Sequence, residues 1–434
     1  MTATVGHGAS SFDNAPASAH EPPGYEPIPK RAAPDWPAAV IAGAYRTGVL
    51  GVRALARRGV SATSFDTDGD LPGFHSRYGP AHLCPDPDSE PDAWVAFMIR
   101  LAGTMGGKPV LIPSADQFVS AIAQHADELG KHYRLSAGIS IQGLLATKET
   151  QYELAEKHGM PLPRTRFVNR LEDITEFAKE AEFPCLLKPL HFREWRSFPA
   201  SHPLSYAKIA IAQTPTELVN SWKLAAAVNP NTIAQEIILG EDTDKRVYLA
   251  CYDSSSRRIA NAMFRELRCN PLQFGPASVT EPVVDAETDE ICDRFLRRLG
   301  YSGICEIEMK RDARDGRMKL IEANPRLTGG GDAAPYAGVD LCWLHYLDII
   351  GKRFSPVTPS GADFRHIDLR NDVAAIFAYR RAKLISWREV FASYRRPRAY
   401  FDFEARDWRY SFDTVYRMAR SLVRELLTSL RGRF

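Results

Sequence analysis

Residues 303–331 read GICEIEMKRDARDGRMKLIEANPRLTGGG. Two short runs, Ile304 to Arg311 and Met318 to Asn324, flank Arg314-Asp315-Gly316-Arg317, whose Asp-Gly pair predicts a hairpin turn. Side chains alternate across a strand, so Glu306, Glu308 and Lys310 are expected on one face, with Ile307 and Met309 on the other. On the second strand Leu320, Glu322 and Asn324 are expected to share a face, with Ile321 and Ala323 behind. Carboxylates in the middle of apolar runs are costly if buried unpaired. Either they form a solvated face beside Lys310 and Arg311, or Glu308, Glu322 and Asn324 hold a cation. An all-oxygen ligand set suits magnesium. Glu306 has no assigned role.

Composition limits the alternatives. The 434 residues are 44% apolar and 25% charged, as in an ordinary globular protein of about two to four domains. A net charge of +2 offers no global field for nucleic acid, and no nucleic-acid partner is expected. Cys84, Cys185, Cys251, Cys269, Cys292, Cys305 and Cys342 form no C-x-x-C pair. They predict reduced thiols in a cytoplasmic protein rather than a disulfide frame or a zinc site. No apolar run is long enough to predict a membrane span. Residues 1–35 are rich in Ala, Pro, Ser and Gly and read as a disordered leader.

From Trp36 the pattern is α/β. Residues 38–42 predict a buried strand, followed by the turn Gly43 to Gly51, a helix over 49–58 closed by Gly59, and a strand over 60–65. The glycines do not complete G-x-G-x-x-G, so a scaffold role is expected in preference to a dinucleotide site. Residues 109–113 predict another strand, with Ser114-Ala115-Asp116 capping a helix through Leu129. Thr147 precedes a helix over 148–157, and GMPLPRT (159–165) leads into a strand. An apolar strand then delivers Lys188 just before Pro189. Thr214-Pro215-Thr216-Glu217 is a capping box opening a helix over 215–228. Strands are expected over 233–238, 246–252 and 258–264, and an amphipathic helix over 286–299 leads into the hairpin.

Lys148 ahead of GMPLPRT, CLLKP at Lys188, QEIILGE at 235–241, EIE at 306–308 and IEANPR at 321–326 occur in one order. This order, over about residues 36–355, resembles the ATP-grasp superfamily, and within it the carboxylate–amine ligases with a Rossmann-like first domain. The resemblance implies an α/β and α+β chain. A Rossmann-like domain (36–140) precedes a two-lobed ATP-grasp domain (141–355, lobes about 141–235 and 236–355). A mostly helical C-terminal extension (356–434) follows.

The resemblance also implies roles. Lys148 and Lys188 hold the ATP phosphates. Gln235, Glu236, Ile237 and Ile238 face adenine, and Glu241 or Asp242 the ribose. Glu308, Glu322 and Asn324 bind magnesium, as two ions, with manganese as an alternative. Arg326 reaches the transferring phosphate, and Gly329 and Gly330 offer amides beside the acyl site. The expected reaction activates a carboxylate as an acyl phosphate and joins it to an amine, so the partners are small molecules. Alternatives are bicarbonate as the acid, a thiol acceptor, or a non-catalytic nucleotide-binding protein.

The chain departs from the family after Lys188, where HFREWRS (191–197) stands in place of a glycine-rich loop. His191, Arg193 and Arg196, with Arg265 and Arg268, are candidates for an acidic substrate or phosphate because guanidinium groups fork onto oxyanions. Arg265 is also a catalytic candidate, together with Arg326 and Lys188. Residues 363–410 are rich in arginine and aromatics. From Ser411 a basic amphipathic helix, with Val415, Met418, Leu422, Leu426 and Leu430 on one face, is expected to pack on the chain's own core or a partner subunit, with an anionic membrane surface as the alternative.

Overall fold

Three sheets carry the fold. The computed structural model describes residues 27–417 and 420, apart from 191–193, 200, 206, 402 and the side chains of Arg196 and Ser197. The first sheet holds β1 (Ala39–Ala42), β2 (Ala62–Asp66), β3 (Ala81–Leu83) and β4 (Val110–Pro113), all parallel in the order β3-β2-β1-β4. β1, β2 and β4 are buried at every residue, as expected of parallel strands covered by helices.

Because β2 and β4 lie on opposite sides of β1, the loops leaving β1 and β4 open a crevice at a topological switch point. Gly43 sits there at φ +119°, and a Cβ on it would lie 2.4 Å from Ser114 Oγ, so only glycine permits this approach. Ser114 Oγ donates to the Ala42 carbonyl at 2.9 Å and is therefore not the expected cap. The N-cap is Ala115, without a side-chain bond, and the single helix expected through Leu129 is broken into Asp116–Gln124 and Ala126–His132.

The second sheet is antiparallel, with β5 (Thr165–Val168), β6 (Cys185–Pro189), β7 (Ala210–Ala212) and β8 (Thr232–Glu236) in the order β5-β8-β6-β7. Helices Leu171–Glu180 and Pro215–Ala226 cover it through Ile174, Phe177, Leu218 and Trp222. Half of the expected capping box forms: Thr214 accepts from the Glu217 N–H, but Glu217 takes the Gln213 N–H instead of that of Thr214.

The third sheet has seven strands: β9 (Lys245–Tyr252), β10 (Arg258–Cys269), β11 (Ala277–Pro282), β12 (Gly303–Arg311), β13 (Met318–Asn324), β14 (Arg365–Ile367) and β15 (Arg398–Tyr400). Their order is β13-β12-β9-β10-β11-β14-β15. One face presents Val247, Leu249, Ala262 and Phe264 toward the first sheet's helix Arg46–Arg57 and the helix Leu341–Ile349. The other presents Tyr248, Ala250, Met263, Ile307 and Met309 to the helix Ala286–Arg298.

Two expectations about the ends change. The C-terminal extension, expected to be mostly helical, also supplies β14 and β15, which complete the large sheet beside helices Leu369–Arg381 and Trp387–Ser393. Three-residue strands are too short to show alternation in a sequence. The disordered leader was expected to run to residue 35, but residues 27–35 are docked. Trp343 Nε1 donates to the Pro29 carbonyl at 3.0 Å, and Ile28 and Ala32 pack on the core. Residues 1–26 lie outside the described residues. A helix occupies residues 408–417, with Val415 about half exposed. The rest of the expected apolar stripe, Met418 and Leu422 to Leu430, falls outside the described residues.

Arg268, proposed for substrate, instead ties the extension to the large sheet. It donates to both Asp372 oxygens at 2.8 Å and to Ser393 Oγ at 3.1 Å, all three residues buried. Removing one partner of a buried pair strands the other charge. Arg268→Ala is expected to lose about 3 kcal/mol of stability, measured by chemical denaturation, whereas a role limited to substrate binding predicts no change.

Candidate active site

The hairpin forms, and the strand register sets its chemistry. Glu306 pairs with Asn324 and Glu308 with Glu322 across β12 and β13. The pairing then slips, Met309 facing Leu320, so Ile321 is an extra residue in β13. Leu320 therefore does not share the acids' face; it packs in the core with Ile307, Met309 and Ala323.

The solvated-face reading does not hold for Glu306, which is 6% exposed. It accepts from Thr328 Oγ1 at 2.7 Å and from Asn324 Nδ2 at 3.5 Å. Burial, with Glu322 and Glu266 nearby, pushes its carboxyl up to about 7. Burial and the carboxylates of Glu306, Glu266 and Glu322 also raise Glu308 well above the usual range. The facing carboxylates of Glu308 and Glu322 and the neighbouring Asn324 amide oxygen form a donor set that fits a hard divalent cation.

The two lysines come from different elements. Lys188 Nζ donates to Tyr152 Oη and Gln235 Oε1, both at 3.2 Å, while Gln235 Nε2 donates to Tyr152 Oη and to Thr165 Oγ1. Gln235 thus orients Lys188. Lys148 opens the helix Lys148–Lys157, and burial lowers its pKa, with Lys188 adding to the shift and Glu322 opposing it. Tyr152 and Gln151 were missed in the sequence. Both stand one turn from Lys148 on its helix face, the available signal. Gln151 clamps the Ala323 peptide, donating to its carbonyl at 2.6 Å and accepting from its N–H at 3.0 Å.

Residues expected at adenine meet protein partners. Glu236 follows Gln235 on a strand and so points away from Lys188, accepting from the Glu182 N–H at 2.8 Å and lying 3.5 Å from Arg164. The Ile237 peptide is engaged, its N–H by the Pro184 carbonyl and its carbonyl by Arg314. Ile237 and Ile238 are both buried. Asp242 is unsuited to a ribose: it is buried against Lys245 at 3.2 Å and takes the Tyr379 hydroxyl. Glu241 is exposed. Asp242, Glu266 and Cys269 cluster closely enough for a metal, but the Lys245 ammonium already pairs with both carboxylates, 3.2 Å from Asp242 and 3.1 Å from Glu266.

Arg326 donates to Asn324 Oδ1 at 3.1 Å and forks onto Asp116, with Nη2 at 2.9 Å from Oδ2. Asp116 follows β4 at the switch point; the sequence marked it only as part of a helix cap. Arg265 is misassigned. It pairs with Glu281 on the face opposite Phe264 and Glu266, and so opposite Glu306 and Glu308. His191 and Arg193 lie outside the described residues. Gly330 passes so close to Glu306 that a Cβ would come within 2.5 Å of its Oε2.

Two cavities flank the hairpin. One, of about 730 Å³, is lined by Asp116, Lys148, Gln151, Leu190, Glu322 and Asn324. The other, of about 290 Å³, is lined by Arg46, Glu306, Glu308, Gly329, Gly330 and Phe401 among others. The acids therefore stand between a lysine-bearing cavity and a smaller one backed by glycines.

No protein-family model matches the chain. Its fold is similar to the biotin carboxylase domain of Hydrogenobacter thermophilus 2-oxoglutarate carboxylase, solved with MgADP, ADP and bicarbonate. The TM-score is 0.55 at 15% identity, covering 73% of this chain and 70% of that one. The L-amino acid ligase of Bacillus licheniformis gives 0.53 at 13% identity, over 72% and 74%. The chain has the ATP-grasp fold. In sequence, the chain is 26% identical over 275 residues to the D-aspartate ligase of Enterococcus faecium (strain Aus0004). That match covers 61% of the chain and 64% of the ligase, just under two thirds of its length.

Glu306 gives a pH signature. Its proton is held more tightly in the folded chain (about 7) than in an unfolded one (4.5), so ionisation opposes folding increasingly as pH rises between those values. Relative to wild type without divalent metal, Glu306→Gln is expected to gain stability from pH 4.5 to 7 and then level off. Denaturation midpoints across that range, with chelator present, check the sign.

Proposed function

We propose that the chain is an ATP-dependent ligase that activates a substrate carboxylate as an acyl phosphate and joins it to an amine. The observation that carries this reading is the Glu308–Glu322 pair standing between the two cavities, with Lys148 lining one of them. ATP occupies the larger cavity, its phosphates met by Lys148 and by Lys188, which Gln235 and Tyr152 hold in place. Ile237 and Ile238 pack on adenine, and Glu241 is the acid for the ribose. Glu308, Glu322 and Asn324 hold magnesium, which when bound neutralises the phosphate charge.

The reacting acid lies in the smaller cavity. Its carboxylate oxygen attacks the γ-phosphorus, forming the mixed anhydride and releasing ADP. Arg326, oriented by Asp116, faces the charge that develops on the transferred group, and the Gly329 and Gly330 amides cradle it. The amine then attacks the acyl carbon and phosphate departs. Kinship with the D-aspartate ligase supports an amino acid such as aspartate as the acid. Seven buried, unpaired cysteines agree with a cytoplasmic setting.

The direct test is ADP release across a panel of acids and amines with MgATP. Release that requires both an amino acid and an amine is the expected result. Release with bicarbonate alone, or with a thiol acceptor, overturns it. Glu322→Ala is expected to cut turnover about a thousandfold by removing a metal ligand, and retained turnover rejects the metal assignment. Lys188→Ala is expected to raise the KM for ATP more than it alters the KM for either substrate.

A further inference from the structure

Helices Leu369–Arg381 and Trp387–Ser393 form a hairpin with two unlike faces. The inner face is fully used. Asp372, Ala375, Tyr379, Val390 and Ser393 are buried, Asp372 bonded to Arg268 and Tyr379 to Asp242. The outer face leaves large apolar groups in water: Phe391 is 63% exposed, Phe377 62%, Leu384 52%, Trp387 47% and Val373 40%. The spacing of Val373 to Phe377 and of Trp387 to Phe391 is one helical turn, so each helix contributes an apolar stripe.

Around these groups Arg381, Lys383, Arg388, Arg395, Arg396 and Arg398 are exposed. Within residues 363–400 the exposed acids are Glu389, which caps its own helix through Ser386, and Asp363, which pairs with Arg396. Arg380 lies over the Trp387 ring at 5.4 Å, leaving an amphipathic aromatic at the border between apolar and charged surface. Apolar and aromatic side chains that bury at a bilayer boundary, ringed by arginines that meet headgroups, are the pattern of an interfacial membrane contact.

We propose that this hairpin docks peripherally on an anionic lipid surface. Among the described residues no helix is long and apolar enough to cross a membrane, so the contact is superficial. Charge selects this occupant over a second copy of the chain, because a symmetric contact would press two basic rims together. Val373 and Leu384 disfavour nucleic acid, since aliphatic groups neither stack on bases nor hydrogen-bond to them. This inference does not depend on the ligase reading.

The test is flotation of the full-length chain with phosphatidylcholine vesicles, with and without phosphatidylglycerol, at low and high salt. Binding only to the anionic vesicles, weakened by salt, is expected. Phe377→Ser/Phe391→Ser and Arg381→Glu/Arg388→Glu should each lower partitioning about tenfold without moving the melting temperature, since all four side chains are exposed. No binding, equal binding to both vesicle types, or variants that float like wild type overturn the proposal. So does a lipid-free dimer abolished by Phe377→Ser/Phe391→Ser, or a single-stranded oligonucleotide that binds more tightly than the vesicles.

Discussion

Like-charge carboxylates held against one another at low dielectric are the constraint on which this molecule turns. Glu308 faces Glu322 across two adjacent strands, Glu306 sits one pair along, and Glu266 approaches from β10. At Glu306 and Glu308 this opposes folding, because burial and neighbouring carboxylates favour the protonated forms. The surrounding structure contains the cost locally. Thr328 and Asn324 bond to Glu306, and Lys245 pairs with Glu266. Glu308 and Glu322 are left as the facing pair, the residues proposed to take metal. A cation bound as proposed would stabilise the folded chain, and the rest of the fold holds these residues in place.

That holding is distributed over three sheets. Gln151 fixes the β13 backbone from the helix that begins at Lys148, so the proposed metal and phosphate elements are joined by hydrogen bonds. The switch point of the first sheet sends Asp116 to Arg326, and Arg46 to the rim of the smaller cavity, where its guanidinium lies 3.7 Å over Phe401. Phe401 comes from the C-terminal region, as does His366 of β14. The smaller cavity is therefore closed by parts of the chain about 300 residues apart, which no local pattern reveals.

Legibility followed the range of the interaction. The Asp-Gly turn, the apolar strand ending at Lys188 and the Thr214 helix cap depend on residues within a turn or a strand of one another, and their signals are local. The face assigned to Leu320 failed because a single extra residue, Ile321, reverses side-chain direction, and a bulge leaves no compositional mark. Arg265 failed for a related reason: strand parity relative to Glu306 is set by pairing through β9, not by spacing along the chain. Asp242 and Arg268 looked like ligand contacts because their partners, Lys245 with Tyr379 and Asp372, are engaged by folding.

By itself the sequence determined the order of the segments, the hairpin with its oxygen donors, and the two lysines, because each depends on short-range periodicity and residue chemistry. Tertiary structure alone decided which arginines are occupied, which acids face each other, and that Arg365–Ile367 and Arg398–Tyr400 complete the large sheet. The physical reason is that a charge is available to a ligand only when no buried partner has taken it, and those partners are brought by the fold from far along the chain.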